Sequence, residues 1–285
     1  MILKSINYWS YPGGLEGKLP VRDFLRLAKS HGFDAVELCV GGEGDLTTAT
    51  TEAQCRDFLS MADEIGIKVA SVASGLYWGH ALGDADPASR SQAAQELEAM
   101  LHITKWLGCR TLLTIPGAVQ VFFLPDRPVQ PYQEVENFAR EGLKAAAKTA
   151  ESLGVRMGIE NVWNKFLLSP SEMASFLDSI GSPAVGAYLD VANILPYGYP
   201  EHWLRQLGSR IYGVHFKDFR RAVGTVEGFV DLLEGDVNWP EVMAALGEIG
   251  YDGPVVAEMI PTYAHYPLVR CANASRAMDA ILGRV

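Results

Sequence analysis

The chain has 285 residues, 24 Lys plus Arg against 34 Asp plus Glu, and a formal charge of −10. With 48% hydrophobic residues it carries too much apolar mass for a disordered chain, and the length fits two small domains or one large α/β domain. The acidic balance argues against a nucleic-acid partner, because such a surface needs cations to displace condensed counterions.

Four cysteines, Cys39, Cys55, Cys109 and Cys271, form no CxxC pair. That sparse usage fits a reducing compartment rather than a disulfide scaffold. The first ten residues have one lysine and no long apolar stretch, so they do not read as a secretory signal. The longest uncharged run, Thr111 to Pro125, is 15 residues and is interrupted by Pro116 and Gly117, too short to span a bilayer. The expectation is a cytoplasmic protein with no membrane partner; assembly into a homo-oligomer is left open.

Along the chain, short β-branched or apolar runs alternate with longer amphipathic ones. The first strand is expected at Ile2–Tyr8, followed by a helix at Val21–His31. Then come strand Ala35–Val40 with helix Thr51–Ile65, and strand Lys68–Ser74 with helix Pro87–Leu107. Strand Thr111–Ile115 precedes helix Tyr132–Leu153, and strand Arg156–Val162 precedes helix Ser169–Ile180. The last three units pair Gly186–Val191 with His202–Leu207, Ile211–Phe216 with Trp239–Ile249, and Pro254–Ile260 with Leu268–Leu282. Gly32, Gly66, Gly108, Gly154 and Gly250 stand just past helical runs, where a left-handed residue ends a helix. Eight strand–helix units without a polar linker predict a single (β/α)8 TIM-barrel domain over residues 1–285. A doubly wound open sheet is the alternative, but Gly13-Gly14 after the first strand is no GxGxxG turn.

In such a barrel the chemistry gathers where strands end. Strands five to eight end in Glu160, Asp190, His215 and Glu258, each set in an apolar run. Their separations of 30, 25 and 43 residues are about one βα unit each, the last lengthened by an insertion. Adjacent strands lie about 5 Å apart, so four successive ends can meet at one point. A single acid at a strand end is commonly only a loop cap. Three buried carboxylates without a cation would repel one another and carry a heavy desolvation cost, which a divalent ion removes. Three carboxylates and an imidazole suit Mn²⁺, Mg²⁺, Co²⁺ or Zn²⁺.

The segments Glu160-Asn161, Asp190-Val191-Ala192-Asn193, Val214-His215-Phe216-Lys217-Asp218 and Ala257-Glu258-Met259 resemble the xylose-isomerase-like TIM-barrel superfamily of sugar epimerases and isomerases. Gly235-Asp236-Val237-Asn238-Trp239 and Gly250-Tyr251-Asp252-Gly253 are also similar to that group. The likeness covers essentially the whole chain and is strongest to L-ribulose/L-xylulose 5-phosphate 3-epimerase-like and hexulose 6-phosphate isomerase-like members. It implies that Glu160, Asp190, His215 and Glu258 hold one divalent metal, usually Mn²⁺, and that Glu160 and Glu258 also serve as the acid/base pair. It further implies substrate contact by Arg221, six residues after the histidine. The free-sugar epimerases carry a His and a Glu where this chain has Asn193 and Phe166, which leaves the exact sugar open.

The expected reaction removes a proton beside a carbonyl, stabilises the resulting enediolate and returns the proton, on a sugar or sugar phosphate. Substrate-contact candidates are Arg221, Asn193, Lys217, Trp163 and His80. Tyr8, Trp9, Tyr77, Trp78, Phe166 and Trp239 offer further aromatic walls, with loop packing as the plain alternative for each. Lys217, Arg220 and Arg221 follow strand seven, a common phosphate site in these barrels, to which the segment Gly224 to Gly235 could add backbone N–H groups. Their structural alternatives are a Lys217–Asp218 pair and arginines that tether the inserted loop. Two other functions fit these residues less well. An apurinic-site endonuclease would need several more zinc histidines, and the chain has six in all. A non-catalytic sugar-binding or regulatory barrel would have no need to keep all four ligands.

Overall fold

The computed structural model describes residues 2–284. Eight parallel strands close into a barrel: β1 (Leu3–Asn7), β2 (Ala35–Val40), β3 (Lys68–Ser74), β4 (Thr111–Thr114), β5 (Arg156–Glu160), β6 (Val185–Asp190), β7 (Ile211–Phe216) and β10 (Pro254–Ala257). Closure through the β1–β10 pair, with Leu3 opposite Pro254, excludes the open doubly wound sheet. The helices outside are α1 (Val21–Ser30), α2 (Glu52–Ile65), α3 (Pro87–Trp106), α4 (Tyr132–Leu153), α5 (Pro170–Ile180), α6 (Pro200–Leu207), α7 (Trp239–Glu248) and α8 (Pro267–Ile281).

Local chemistry accounts for the helix ends. In α1 the buried residues Val21, Phe24, Leu25 and Ala28 follow the i, i+3, i+4, i+7 spacing of one helical face. Each large one contributes about 1.5–3 kcal/mol by leaving water. Thr51 and Gln54 cap α2 reciprocally, and Gly66 and Gly154 end α2 and α4 in the left-handed region. The helix expected from His202 begins two residues earlier, because Pro200 suits the first turn, where its missing N–H costs nothing. Strands five and eight end sooner than their apolar runs suggest: Val162 and Ile260 continue the hydropathy but not the ladder.

Among the described residues, an added pair of strands lies between β7 and α7. There β8 (Asp218–Phe219) and β9 (Phe229–Val230) form a two-stranded antiparallel hairpin. No alternating pattern long enough to predict it exists in strands of two residues. Among the described residues, no helix is long and apolar enough to cross a membrane.

Candidate active site

Residues alternate between the interior and the helix layer along each strand, so one register decides which side chains meet. Asp190 lies opposite His215 across β6 and β7, and Glu160 ends β5 beside them. Glu258 directly follows β10. Donor atoms of Glu160, Asp190, His215 and Glu258 all lie within 4.8 Å of one another, and all four residues are buried. His215 Nδ1 is 3.3 Å from Glu160 Oε1 and 3.5 Å from Glu258 Oε2. The four expected ligands therefore converge.

Backbone groups aim Asp190. Its Oδ1 accepts the N–H groups of Ala192 at 2.9 Å and Asn193 at 3.0 Å, which leaves Oδ2 for the cluster. Asn161 clamps β5 to β6, donating to the Asp190 carbonyl at 2.9 Å and accepting its N–H at 2.8 Å.

Lys217 is the fifth member. Its Nζ lies 3.0 Å from Asp190 Oδ2 and pairs with Glu258, while the Phe229 ring covers it at 5.6 Å. It therefore does not form the Lys217–Asp218 pair, and it stands apart from the two arginines. Asp218 instead accepts four hydrogen bonds, from the N–H groups of Phe219, Leu233 and Val237 and from Trp239 Nε1. Arg220 donates to the Glu234 carbonyl at 3.0 Å. Arg221 is exposed, with its guanidinium 4.7 Å from the centre of the Tyr199 ring and its N–H on Asp236. The basic trio of adjacent sequence is thus split, and the Leu233 N–H, one of the backbone donors considered for a phosphate, is taken by Asp218. Gly235 packs so closely on that carboxylate that an added Cβ would fall 2.1 Å from Asp218 Oδ1.

Trp163 donates its Nε1–H to the Asn193 carbonyl at 2.9 Å and packs against Phe219 and Phe229. The Asn193 amide nitrogen is buried without a hydrogen-bond partner among the described residues, a donor held in reserve. His80 is half-exposed and faces Glu96 on α3 at 3.2 Å, so nothing ties it to the cluster. Tyr77, Phe166 and Trp239 are packed: Tyr77 donates to the Leu113 carbonyl, Phe166 stacks among Tyr132 and Phe176, and Trp239 braces Asp218. On the same rim, the loops after β1, β2 and β3 enclose a cavity of about 330 Å³ whose charged lining is Glu16, Glu43 and Asp45.

The residue that sequence reasoning passed over is Glu37. It is fully buried on β2 and lies 2.8 Å from His215 Nε2. Its signature was available: a single carboxylate inside the apolar run Ala35–Val40, the same criterion that selected Asp190 and Glu258.

Electrostatics follow from this packing. Burial raises the Glu160 carboxyl above its ordinary range; nearby Glu258 adds to this, while His215 and Lys217 oppose it. For His215, burial favours the neutral ring, but Glu37 and Glu258 outweigh it and hold the imidazole protonated well above its usual range. Burial likewise works against the Lys217 charge, and Asp190, Glu258 and Glu160 overcome it. Among the described residues, four buried carboxylates face only these two cations. Hard oxygen donors, one imidazole and a shortage of positive charge fit a divalent ion. Glu160, Asp190, His215 and Glu258 are the residues that would hold it.

Comparison with known proteins agrees with this architecture. The sequence model of the xylose isomerase-like TIM barrel matches residues 25–278. An L-ribulose-5-phosphate 3-epimerase of Salmonella paratyphi C (strain RKS4594) is 27% identical over 289 aligned positions, covering 100% of this chain and 97% of that protein. The fold is shared with D-psicose 3-epimerase of Clostridium cellulolyticum H10, solved with D-tagatose, at a TM-score of 0.79 and 18% identity over 99% of both chains. It is also shared with an L-ribulose 3-epimerase at a TM-score of 0.78 and 18% identity, over 100% of this chain and 95% of the other.

Proposed function

The chain belongs to the xylose isomerase-like TIM-barrel family, and on that premise we propose that it is a divalent-metal-dependent epimerase or isomerase of a ketose or ketose phosphate. The observation that carries the reading is the convergence of Glu160, Asp190, His215 and Glu258 on one buried point. The names of the relatives, 3-epimerases of phosphorylated and free ketoses, support the substrate class.

Mn²⁺ is the proposed ion; when bound, it supplies Lewis-acid stabilisation of negative charge on neighbouring substrate oxygens. The protein's own groups move the proton. Glu160 ends β5 and Glu258 directly follows β10, with β6 and β7 between them, and so the two flank a substrate from two sides. One carboxylate removes the proton beside the carbonyl to leave an enediolate, and the other, protonated, returns one from the opposite face. That exchange inverts the carbon and resets the pair for the reverse direction. Transfer by one glutamate between adjacent carbons would give isomerisation instead. The raised affinity of Glu160 for its proton brings it nearer the working pH of a general acid/base. Asp190 and His215, with the two glutamates, would hold the ion, and Lys217 offsets the charge of Asp190 and Glu258.

Asn193, with its unpartnered amide, and Trp163 beside it are the proposed contacts for the sugar, with Lys217 and Arg221 reaching its remaining oxygens and His80, on Glu96, reserved for a contact at the outer rim. The acidic lining of the neighbouring cavity suits hydroxyl donors rather than phosphate. A phosphorylated end therefore belongs on the Arg221 side. We read the whole chain as one domain acting on a small molecule in the cytoplasm. The test is elemental analysis of the purified protein together with solvent-deuterium uptake across a panel of ketoses and their phosphates. Exchange that requires a divalent ion supports the proposal. Sugar affinity without exchange in the metal-loaded protein would establish a binding barrel instead.

A further inference from the structure

Glu37 has no part in the chemistry above, yet both of its carboxylate oxygens are fully engaged. Its Oε1 accepts from Asn7 Nδ2 at 2.7 Å and faces His215 Nε2 at 2.8 Å. Its Oε2 accepts from Ser71 Oγ at 2.7 Å and from the Tyr188 hydroxyl at 2.6 Å. Asn7 and Ser71 are its register partners on β1 and β3, so they flank it by strand pairing alone. Tyr188 and His215 reach it from the opposite wall, β6 and β7. The Tyr188 ring has room because β7 carries Gly213 and β5 carries Gly158; a Cβ at Gly213 would fall 2.4 Å from that ring.

The direction of each bond is constrained. The Asn7 Oδ1 accepts the Trp9 N–H at 2.7 Å, which turns the amide NH₂ toward Glu37. With Asn7, Ser71 and Tyr188 donating, a carboxylate has only acceptor capacity left for His215. Nε2 must therefore carry hydrogen, and Nδ1, the nitrogen facing Glu160 and Glu258, is the one free to give its lone pair to an ion.

We infer that Glu37 is a positioning residue that fixes the His215 ring with Nε2–H toward β2 and Nδ1 as the metal-binding atom. A carboxylate behind a ligating histidine orients the ring and raises its basicity as a donor. The inference rests on the metal-dependent reading above. In Glu37→Gln one oxygen becomes NH₂. That group can donate to Nε2, which moves the ring hydrogen to Nδ1 and blocks the ligand atom.

Two measurements test it. Wild-type protein carrying ring-¹⁵N histidine is titrated with Zn²⁺, with His215 assigned from a His215→Asn spectrum. The expected spectrum has a metal-shifted Nδ1 and a protonated Nε2; metal on Nε2 overturns the inference. This arm does not depend on how Glu37→Gln folds. Calorimetric Mn²⁺ titration of Glu37→Gln is expected to show binding weakened about 10- to 100-fold. Wild-type affinity in folded Glu37→Gln would overturn the positioning role and leave the metal reading standing, whereas no Mn²⁺ binding by wild type would overturn both.

Discussion

Asp218→Asn perturbs the insertion between β7 and α7 at the point that organises it. The carboxylate is fully buried and gathers donors from three places along the loop. Oδ1 accepts from Phe219 N–H at 2.9 Å and Val237 N–H at 3.1 Å, and Oδ2 from Leu233 N–H at 3.0 Å and Trp239 Nε1–H at 3.1 Å. An asparagine turns one of those oxygens into NH₂, so two donors face a donor. A hydrogen bond to a charged acceptor contributes about 1.5–3 kcal/mol, and local relaxation recovers part of the two lost. The expected destabilisation is about 3 kcal/mol. At an unfolding entropy of about 2.1 cal/mol/K per residue, a chain of this length loses roughly 5 °C of Tm. The hairpin carries Phe229, whose ring stands 5.1 Å from Trp163, so KM should rise while metal content holds. Calorimetry and steady-state kinetics on the metal-loaded protein are the assays. Trp239→Phe, which removes one donor and leaves Oδ2 with Leu233, should cost less. A Tm for Asp218→Asn within about 1 °C of wild type would refute the assignment of Asp218 as the organiser of this loop.

Other consequences are equally open to measurement. Glu160→Gln and Glu258→Gln keep an oxygen donor but lose the base, so each should lower turnover about 10²- to 10⁴-fold with substrate affinity changed only a few-fold; near-normal turnover in either would leave that residue a ligand only. Glu37 and Glu258 raise the affinity of His215 for its proton in the metal-free protein, so Mn²⁺ uptake competes with that proton and affinity must weaken as pH falls. Calorimetry in buffers of different ionisation enthalpy reads that proton directly. The same raised affinity for a proton stabilises the metal-free fold below the ordinary histidine range, and that stability is lost as pH rises through the folded value; a metal-free melting temperature that rises there instead would contradict it. Arg221 is exposed, so Arg221→Ala should change stability by less than about 0.5 kcal/mol. It should raise KM more for a ketose phosphate than for the free ketose; small, equal changes for both would make Arg221 structural.

The sequence by itself determined the strand–helix alternation, the glycine stops and the four polar residues that end strands five to eight. All of these are local quantities. Hydropathy period distinguishes a strand from a helix, and a lone acid in an apolar run announces an interior position at the next turn of the pattern. Glu160, Asp190, His215 and Glu258 were legible because consecutive strands are spatial neighbours in a closed parallel barrel. Contacts across the barrel were not. Glu37 reaches His215 over a separation of 178 residues, and whether the two meet depends on register and on the space left by Gly158 and Gly213. Side-chain direction was the other missing quantity. Lys217, Arg220 and Arg221 are near neighbours in sequence, yet Lys217 is drawn to Asp190 and Glu258, Arg220 to Glu234, and Arg221 onto Tyr199. Residues on and beyond a strand end alternate faces and then follow the loop, so proximity in sequence does not make one charged patch. Only the tertiary fold decides where each cation finds its counter-charge.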